Sequence, residues 1–169
     1  MSSAPRERLL PSLIDRLRDD APGERTESRE RRAFSAADLR QAVKRDLEWL
    51  LNTVSLESVT SLAATPEVRD SVINFGMPAL SGTAPNRSGR AAVQRKLREA
   101  IAAFEPRILP DTLRVVLEES DEAGSDGGHD DGALVFRVEG MLWGQPLPEA
   151  LYLRTEVDLE QGRVSIEEA

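Results

Sequence analysis

The stretch LREAIAAFEPRILPDTLRVVL, Leu97 to Leu117, contains the change of pattern on which the fold turns. Up to Phe104 the apolar residues Leu97, Ile101 and Phe104 recur at helical spacing, and from Leu113 onward Leu113, Val115 and Leu117 alternate as in a half-buried strand. Glu105-Pro106-Arg107 stands between the two patterns. A proline ring cannot continue a helix and pushes the preceding residue toward extended geometry, so the helix ends there. Glu105 is then a carboxylate at a helix C-terminus, where the dipole disfavours negative charge by ~0.3–1 kcal/mol. A residue set against its local preference needs a partner, and Arg107 or another arginine is the candidate. Two readings stay open: a clasp within the chain that fixes the angle between helix and sheet, or a contact that reaches a neighbouring chain. Exposure of the pair favours the second.

Upstream, the helix that runs into this stretch begins near Ser88 or Arg90, with Val93, Leu97, Ile101 and Phe104 on one face. Before it, MPALSGTAPNRSG (Met77 to Gly89) is a loop without a phosphate-binding glycine pattern. A short helix is expected from Thr65 as N-cap and Pro66 as first residue, with Val68, Val72 and Phe75 inward and Gly76 as its stop. Ser35, with Asp38 three residues on, caps a longer helix whose inward stripe is Leu39, Val43, Leu47, Leu50, Leu51 and Val54. Trp49 falls at the edge of that stripe or in an interface. At the N-terminus Leu9, Leu10, Leu13, Ile14 and Leu17 share one helical face over Arg6 to Arg18, with the helix starting near Pro11. The segment DDAPGERTESRERRA (Asp19 to Ala33) has no large apolar side chain and reads as a flexible linker. A short amphipathic helix beyond such a linker either folds back onto the parent domain or docks into a partner's groove.

Downstream, Leu134, Phe136 and Val138 form a strand, and Gly140 marks a bend or bulge near its end. Leu151, Leu153, Thr155, Val157 and Leu159 form the next, and Val164 and Ile166 the last, after the turn Glu160-Gln161-Gly162. The connection Glu119 to Gly132 is rich in glycine and acids, but its spacing is not that of an EF-hand, and it reads as a solvated hairpin loop that includes His129. The expected architecture is α+β, with about three helices on one face of a four-stranded, mainly antiparallel sheet. Residues 1–18 form an amphipathic arm, 19–33 a linker and 34–169 a single domain.

Composition narrows the function. The chain of 169 residues is long enough for a substantial core, and 22 Lys+Arg against 30 Asp+Glu, a net charge of -8, argues against nucleic acid as a partner. Absence of cysteine removes disulfides, thiolate nucleophiles and cysteine zinc sites, and a single histidine leaves little for a metal centre or a Ser-His-Asp triad. No cofactor or metal is expected. Lys44 and Lys96 are the only lysines. The arginine bias suits bidentate pairing with carboxylates, or reflects genome composition. No apolar run approaches the ~18 residues of a membrane span, and MSSAPRERLL lacks a signal-peptide core, so the chain reads as cytosolic. A carboxylate enzyme can be built on paper from Glu105 as acid and Asp111 as its partner, although thirty acids make such a pairing easy to find by chance.

Four blocks in order, RDLEWLLNT (Arg45 to Thr53), SVINFGMPALS (Ser71 to Ser81), FEPR (Phe104 to Arg107) and LRTEVDLEQGRVSI (Leu153 to Ile166), resemble the TssE family of type VI secretion baseplate subunits, relatives of a small contractile-phage baseplate wedge protein. The resemblance covers Arg6 through Ile166. It implies a non-catalytic component of a contractile injection machine, cytoplasmic at a baseplate docked on the inner membrane, that joins the wedge to the first sheath ring. The implied partners are the wedge proteins TssF and TssG, the baseplate protein TssK and the sheath proteins TssB and TssC, with no membrane insertion. It also makes Glu105, Pro106 and Arg107 the family's hallmark triplet. Beside it stand two expectations drawn from the residues: that Leu9, Leu13, Ile14 and Leu17 dock on the wedge, and that the strands carrying Leu151, Leu153, Thr155, Val157, Val164 and Ile166 face the sheath and template it by strand addition. Phage relatives have often been labelled lysozyme, so a peptidoglycan hydrolase using Glu105 is the alternative, with an unrelated cytosolic adaptor as a third.

Overall fold

The computed structural model describes residues 9, 11–17, 22–23, 35–80, 83, 86–118, 133–144 and 147–168. Its helices are α1 (Leu13–Leu17), α2 (Ala36–Leu51), α3 (Pro66–Arg69) and α4 (Arg87–Phe104); its strands are β1 (Arg114–Leu117), β2 (Ala133–Leu142), β3 (Glu149–Asp158) and β4 (Arg163–Glu168). Short 3-10 turns lie at Leu56–Ser58, Val72–Asn74 and Pro110–Thr112. The strands form one antiparallel sheet in the order β1-β2-β3-β4, so each strand pairs with its neighbour in sequence. This is the expected α+β class.

Alternation along the strands separates two faces. Leu134, Phe136, Val138 and Leu142 of β2, Leu151, Leu153 and Val157 of β3, and Val164 and Ile166 of β4 share one buried cluster with Leu39, Val43, Leu47, Leu50 and Leu51 of α2 and Val93, Leu97 and Ile101 of α4. Each such aliphatic or aromatic side chain contributes ~1.5–3 kcal/mol by leaving water, which is what holds the helix layer to the sheet. The other face carries Arg137, Tyr152, Arg154, Glu156 and Glu167, all exposed. There Arg137 sits opposite Arg154, and Glu118 and Glu139 hold the two guanidiniums.

Several local expectations are corrected. Asn52 caps α2, so Val54 leaves the helical stripe, is exposed, and forms a parallel bridge with Met77 instead. The expected helix from Thr65 divides into α3 and the turn Val72–Asn74. Thr65 makes no side-chain cap, and Val72 points outward rather than inward. Helix α4 starts a little earlier than read, because Asn86 accepts the Gly89 N–H at 2.9 Å as N-cap. Gly140 marks no bulge, since β2 runs through it in continuous register with β3. A Cβ there would lie 2.8 Å from Ile108 Cγ2, so glycine lets the junction segment approach β2. Leu159 lies just past the end of β3 but is buried. The Ser35 capping box is complete, with Ser35 Oγ accepting the Asp38 N–H at 3.1 Å and Asp38 accepting the Ser35 N–H at 2.9 Å. Leu10, Phe34, the loop Glu119 to Gly132 with His129, and the linker apart from Pro22 and Gly23 lie outside the described residues.

Candidate functional site

At the end of α4 the Glu105 N–H still donates to the Ile101 carbonyl at 2.9 Å, after which Pro106 stops the helix. The Glu105 side chain is only 4% exposed, and Arg107 folds back over it. Glu105 Oε1 accepts the Arg107 backbone N–H at 3.1 Å and Nε–H at 2.7 Å, while Nη2 donates to Oε2. The same Nη2 reaches Asp46 Oδ2 of α2 at 2.6 Å. Burial alone would lower the Arg107 pKa, but hydrogen bonds and charge from Glu105, then from Asp46, outweigh it and raise it above the ordinary arginine value. The arginine neutralises the carboxylate that the helix dipole disfavours, and the pair is a clasp within the chain. Beyond it the backbone adds to the end of β2. Leu109 N–H donates to Met141 O at 2.8 Å, Trp143 N–H donates to Arg107 O at 2.7 Å, and Ile108 bridges Leu142. Glu105-Pro106-Arg107 thus joins α4, α2 and the sheet.

The clasp extends farther than the triplet. Asp46 Oδ1 accepts from Arg45 Nε at 2.9 Å and Nη2 at 2.7 Å, and Arg45 Nη1 donates to Asp15 Oδ1 of α1 at 2.6 Å. Charges therefore alternate from Glu105 through Arg107, Asp46 and Arg45 to Asp15. Burial raises the Asp15 pKa, but the Ser12 hydroxyl and Arg45 bring it below the usual carboxylate value. The Arg45 guanidinium also lies 5.1 Å from the centre of the half-exposed Trp49 ring. Sequence reasoning missed Asp46 and Arg45. Asp46 follows Val43 by three positions and precedes Leu50 by four, so its place beside the buried stripe was the available signal.

This anchoring divides the residues expected to dock on the wedge. Leu9 is buried in the core, near Gly144, where a Cβ would come within 3.1 Å of Leu9 Cδ2. Leu13, Ile14 and Leu17 are 70%, 51% and 76% exposed. Helix α1 thus turns its polar residue Asp15 toward the domain and its apolar face toward solvent, the reverse of a surface helix that packs on its own core. Fold-back and outward presentation, read as alternatives, coexist.

The strand residues expected to face the sheath, Leu151, Leu153, Thr155, Val157, Val164 and Ile166, point instead into the chain's own core, because they occupy the alternating positions under α2 and α4. Strand β3 is interior, and β1 and β4 are the edges. Both edges carry a side-chain amide from a helix. Asn52 donates to Val164 O at 2.8 Å and accepts the Val164 N–H at 3.0 Å, and Gln94 donates to Val115 O at 2.6 Å. Such caps blunt an edge that would otherwise invite pairing. Since backbone groups alternate sides along an antiparallel strand, Ile166 and Glu168 share the outward direction of Val164, and their backbone groups form the uncapped part of the β4 edge.

Glu105 and Asp111 do not form the acid-base pair that could be drawn on paper. Both Glu105 oxygens are committed to Arg107, and Asp111 is exposed in the turn Pro110–Thr112. Among the described residues no group of three or more His, Asp or Glu side chains is arranged to hold a metal ion, and no helix is long and apolar enough to cross a membrane.

Compared with known proteins, residues 37–147 match the model of a family described as "Baseplate wedge protein gp25". The matched span includes three of the four blocks that carry the resemblance and ends before the fourth, Leu153 to Ile166. No curated protein and no solved structure matches the chain.

Proposed function

Since the chain belongs to the baseplate wedge protein gp25 family, a family of structural components, we propose that it serves in the baseplate of a type VI secretion contractile machine, on the cytoplasmic side of the inner membrane. The observation that carries this reading is the family match over residues 37–147, with three of the four TssE-like blocks in order within it. In this role α1 presents Leu13, Ile14 and Leu17 to an apolar groove of the wedge proteins TssF and TssG, while Asp15 and Leu9 keep the arm on its own domain. A strand from the sheath proteins TssB or TssC adds at Ile166 to Glu168 and extends along β4 by displacing Asn52 from Val164. TssK contacts the same assembly through the wedge. Neither the arm nor the β4 edge performs chemistry.

Co-purification of the full chain with TssF and TssG, and separately with TssB and TssC, tests this. Leu13→Lys/Leu17→Lys should lose the wedge proteins and keep the sheath. Glu168→Pro, which removes an outward N–H without touching the core, should do the opposite, with circular dichroism unchanged in both. Wild type that captures neither set, or variants that keep both, would refute the assignment.

A further inference from the structure

The connection between α2 and α4 holds a second apolar feature that neither the arm nor the strand edge uses. The turns Leu56–Ser58 and Val72–Asn74 pack on each other. On them or beside them Val54, Val59, Val72 and Ile73 are exposed, Val72 by 84% and Ile73 by 68%. Exposed aliphatic side chains on a mobile loop need no explanation, but this one is held from several directions. Asn74 is buried, its Oδ1 accepting the Glu57 N–H and its Nδ2 donating to Arg69 O, both at 2.9 Å, so it ties the two turns together. Gly76 has φ 127°, and a Cβ there would lie 2.5 Å from Thr53 O. Met77 and Thr53 share a 2.8 Å backbone bond. Phe75 packs edge-on against Phe104, with ring centres 5.5 Å apart, next to the Glu105 clasp. The fold thus spends a buried amide, a glycine-only conformation and an aromatic pair on holding Val72 and Ile73 out in water.

We infer that this knob, Val59, Val72 and Ile73, is an interaction surface that inserts into an aliphatic pocket rimmed by arginine or lysine on a different protein. The occupant follows from the charges around the knob. Among the described residues Glu57, Glu67 and Asp70 are exposed there, and Arg69 beside them is paired with Glu57 at 3.4 Å. An anionic lipid surface would be repelled by that rim, and a two-fold contact between copies would bring the same acids face to face. A basic-rimmed pocket satisfies both the apolar centre and the acidic rim. This surface is independent of α1 and of the β4 edge.

Site-specific photocrosslinking in the cells that make the protein with its natural neighbours tests the inference, with p-benzoylphenylalanine in place of Ile73 and, in a parallel strain, in place of Leu13. Position 73 should crosslink to one other protein, at a peptide containing aliphatic residues and arginine or lysine. Val72→Lys should lower that yield at least about tenfold, and Glu67→Lys/Asp70→Lys at least about threefold, with circular dichroism unchanged. The inference is overturned by any of four results at position 73: no crosslink, a crosslink to a second copy, a crosslink to the chain's own segment Arg25 to Arg32, or a yield indifferent to the charge reversal. Position 13 reports separately on the arm. A crosslink there without one at 73 refutes the knob and leaves the arm reading standing, and the reverse pattern does the opposite.

Discussion

Replacing Arg107 by methionine is the sharpest test of the clasp. The substitution keeps the stem's apolar volume and the backbone N–H to Glu105 but removes Nε and Nη2, the two guanidinium donors on a carboxylate that is 4% exposed. Asp46 is less affected, since Arg45 still holds its other oxygen at 2.7 Å. The cost therefore falls on Glu105, left buried with one of its three Arg107 donors. Breaking a buried pair by removing one partner typically costs ~3–5 kcal/mol. The surviving backbone bond and the partial exposure of Arg107 place this case at the lower end, about 3 kcal/mol. At ~2–4 °C per kcal/mol for a chain of this size, the melting temperature should fall by about 6–12 °C. Urea unfolding followed by far- and near-ultraviolet circular dichroism reads the free-energy change, and an unaltered slope shows that the folded state is otherwise intact. A second variant, Glu105→Gln/Arg107→Met, removes the orphaned charge and should recover to within about 2 kcal/mol of wild type. If Arg107→Met loses less than about 1 kcal/mol, or the double variant is no more stable than the single, the junction is set by Pro106 and the backbone bridge to β2, and the charge argument is wrong.

The remaining expectations are more local. Asp15→Asn should free α1, seen as roughly fivefold faster hydrogen exchange over residues 11–17, because a partly exposed charged hydrogen bond contributes about 1 kcal/mol. The same contact should depend on pH. The folded Asp15 pKa is lowered from 3.8, so the contribution is fully present above that value and is lost as pH falls through the lower folded-state pKa, which Trp49 fluorescence in a Trp143→Phe background should follow. Asn52→Ala leaves the Val164 edge groups without their amide and should cost ~1–2 kcal/mol in urea unfolding while raising self-association in sedimentation velocity. Gly76→Ala forces a side chain into a left-handed backbone 2.5 Å from Thr53 O and should cost more than ~2 kcal/mol by the same unfolding assay.

Much of the fold was legible because its signals are local. Ser35 and Asp38 are three residues apart and cap α2 as their spacing implies, and the two-residue period in β2, β3 and β4 names the buried residues almost one by one. The segment after Thr65 was misread because Val68, Val72 and Phe75 fit a helical period, whereas Ser71 and Asn74 use their side chains to close a tighter turn. The candidate site was legible only at its centre. Glu105 and Arg107 are two residues apart, so their pairing could be argued from the broken helix alone.

By itself the sequence determined where helix yields to strand, which strand positions are buried, that Pro106 ends α4 over a carboxylate in need of a partner, and a family resemblance that the match over residues 37–147 bears out. Only the tertiary structure decided what completes each contact. Asp46 is 61 residues from Arg107, Asp15 is 30 from Arg45, and Asn52 is 112 from Val164. It also decided that α1 faces its leucines outward and that Val72 and Ile73 stand in water. Periodicity reports which side of an element is apolar, because that repeats every two to four residues. It carries nothing about which charge or amide meets that element across the fold, since those meetings are set by the packing of α2 and α4 on the sheet.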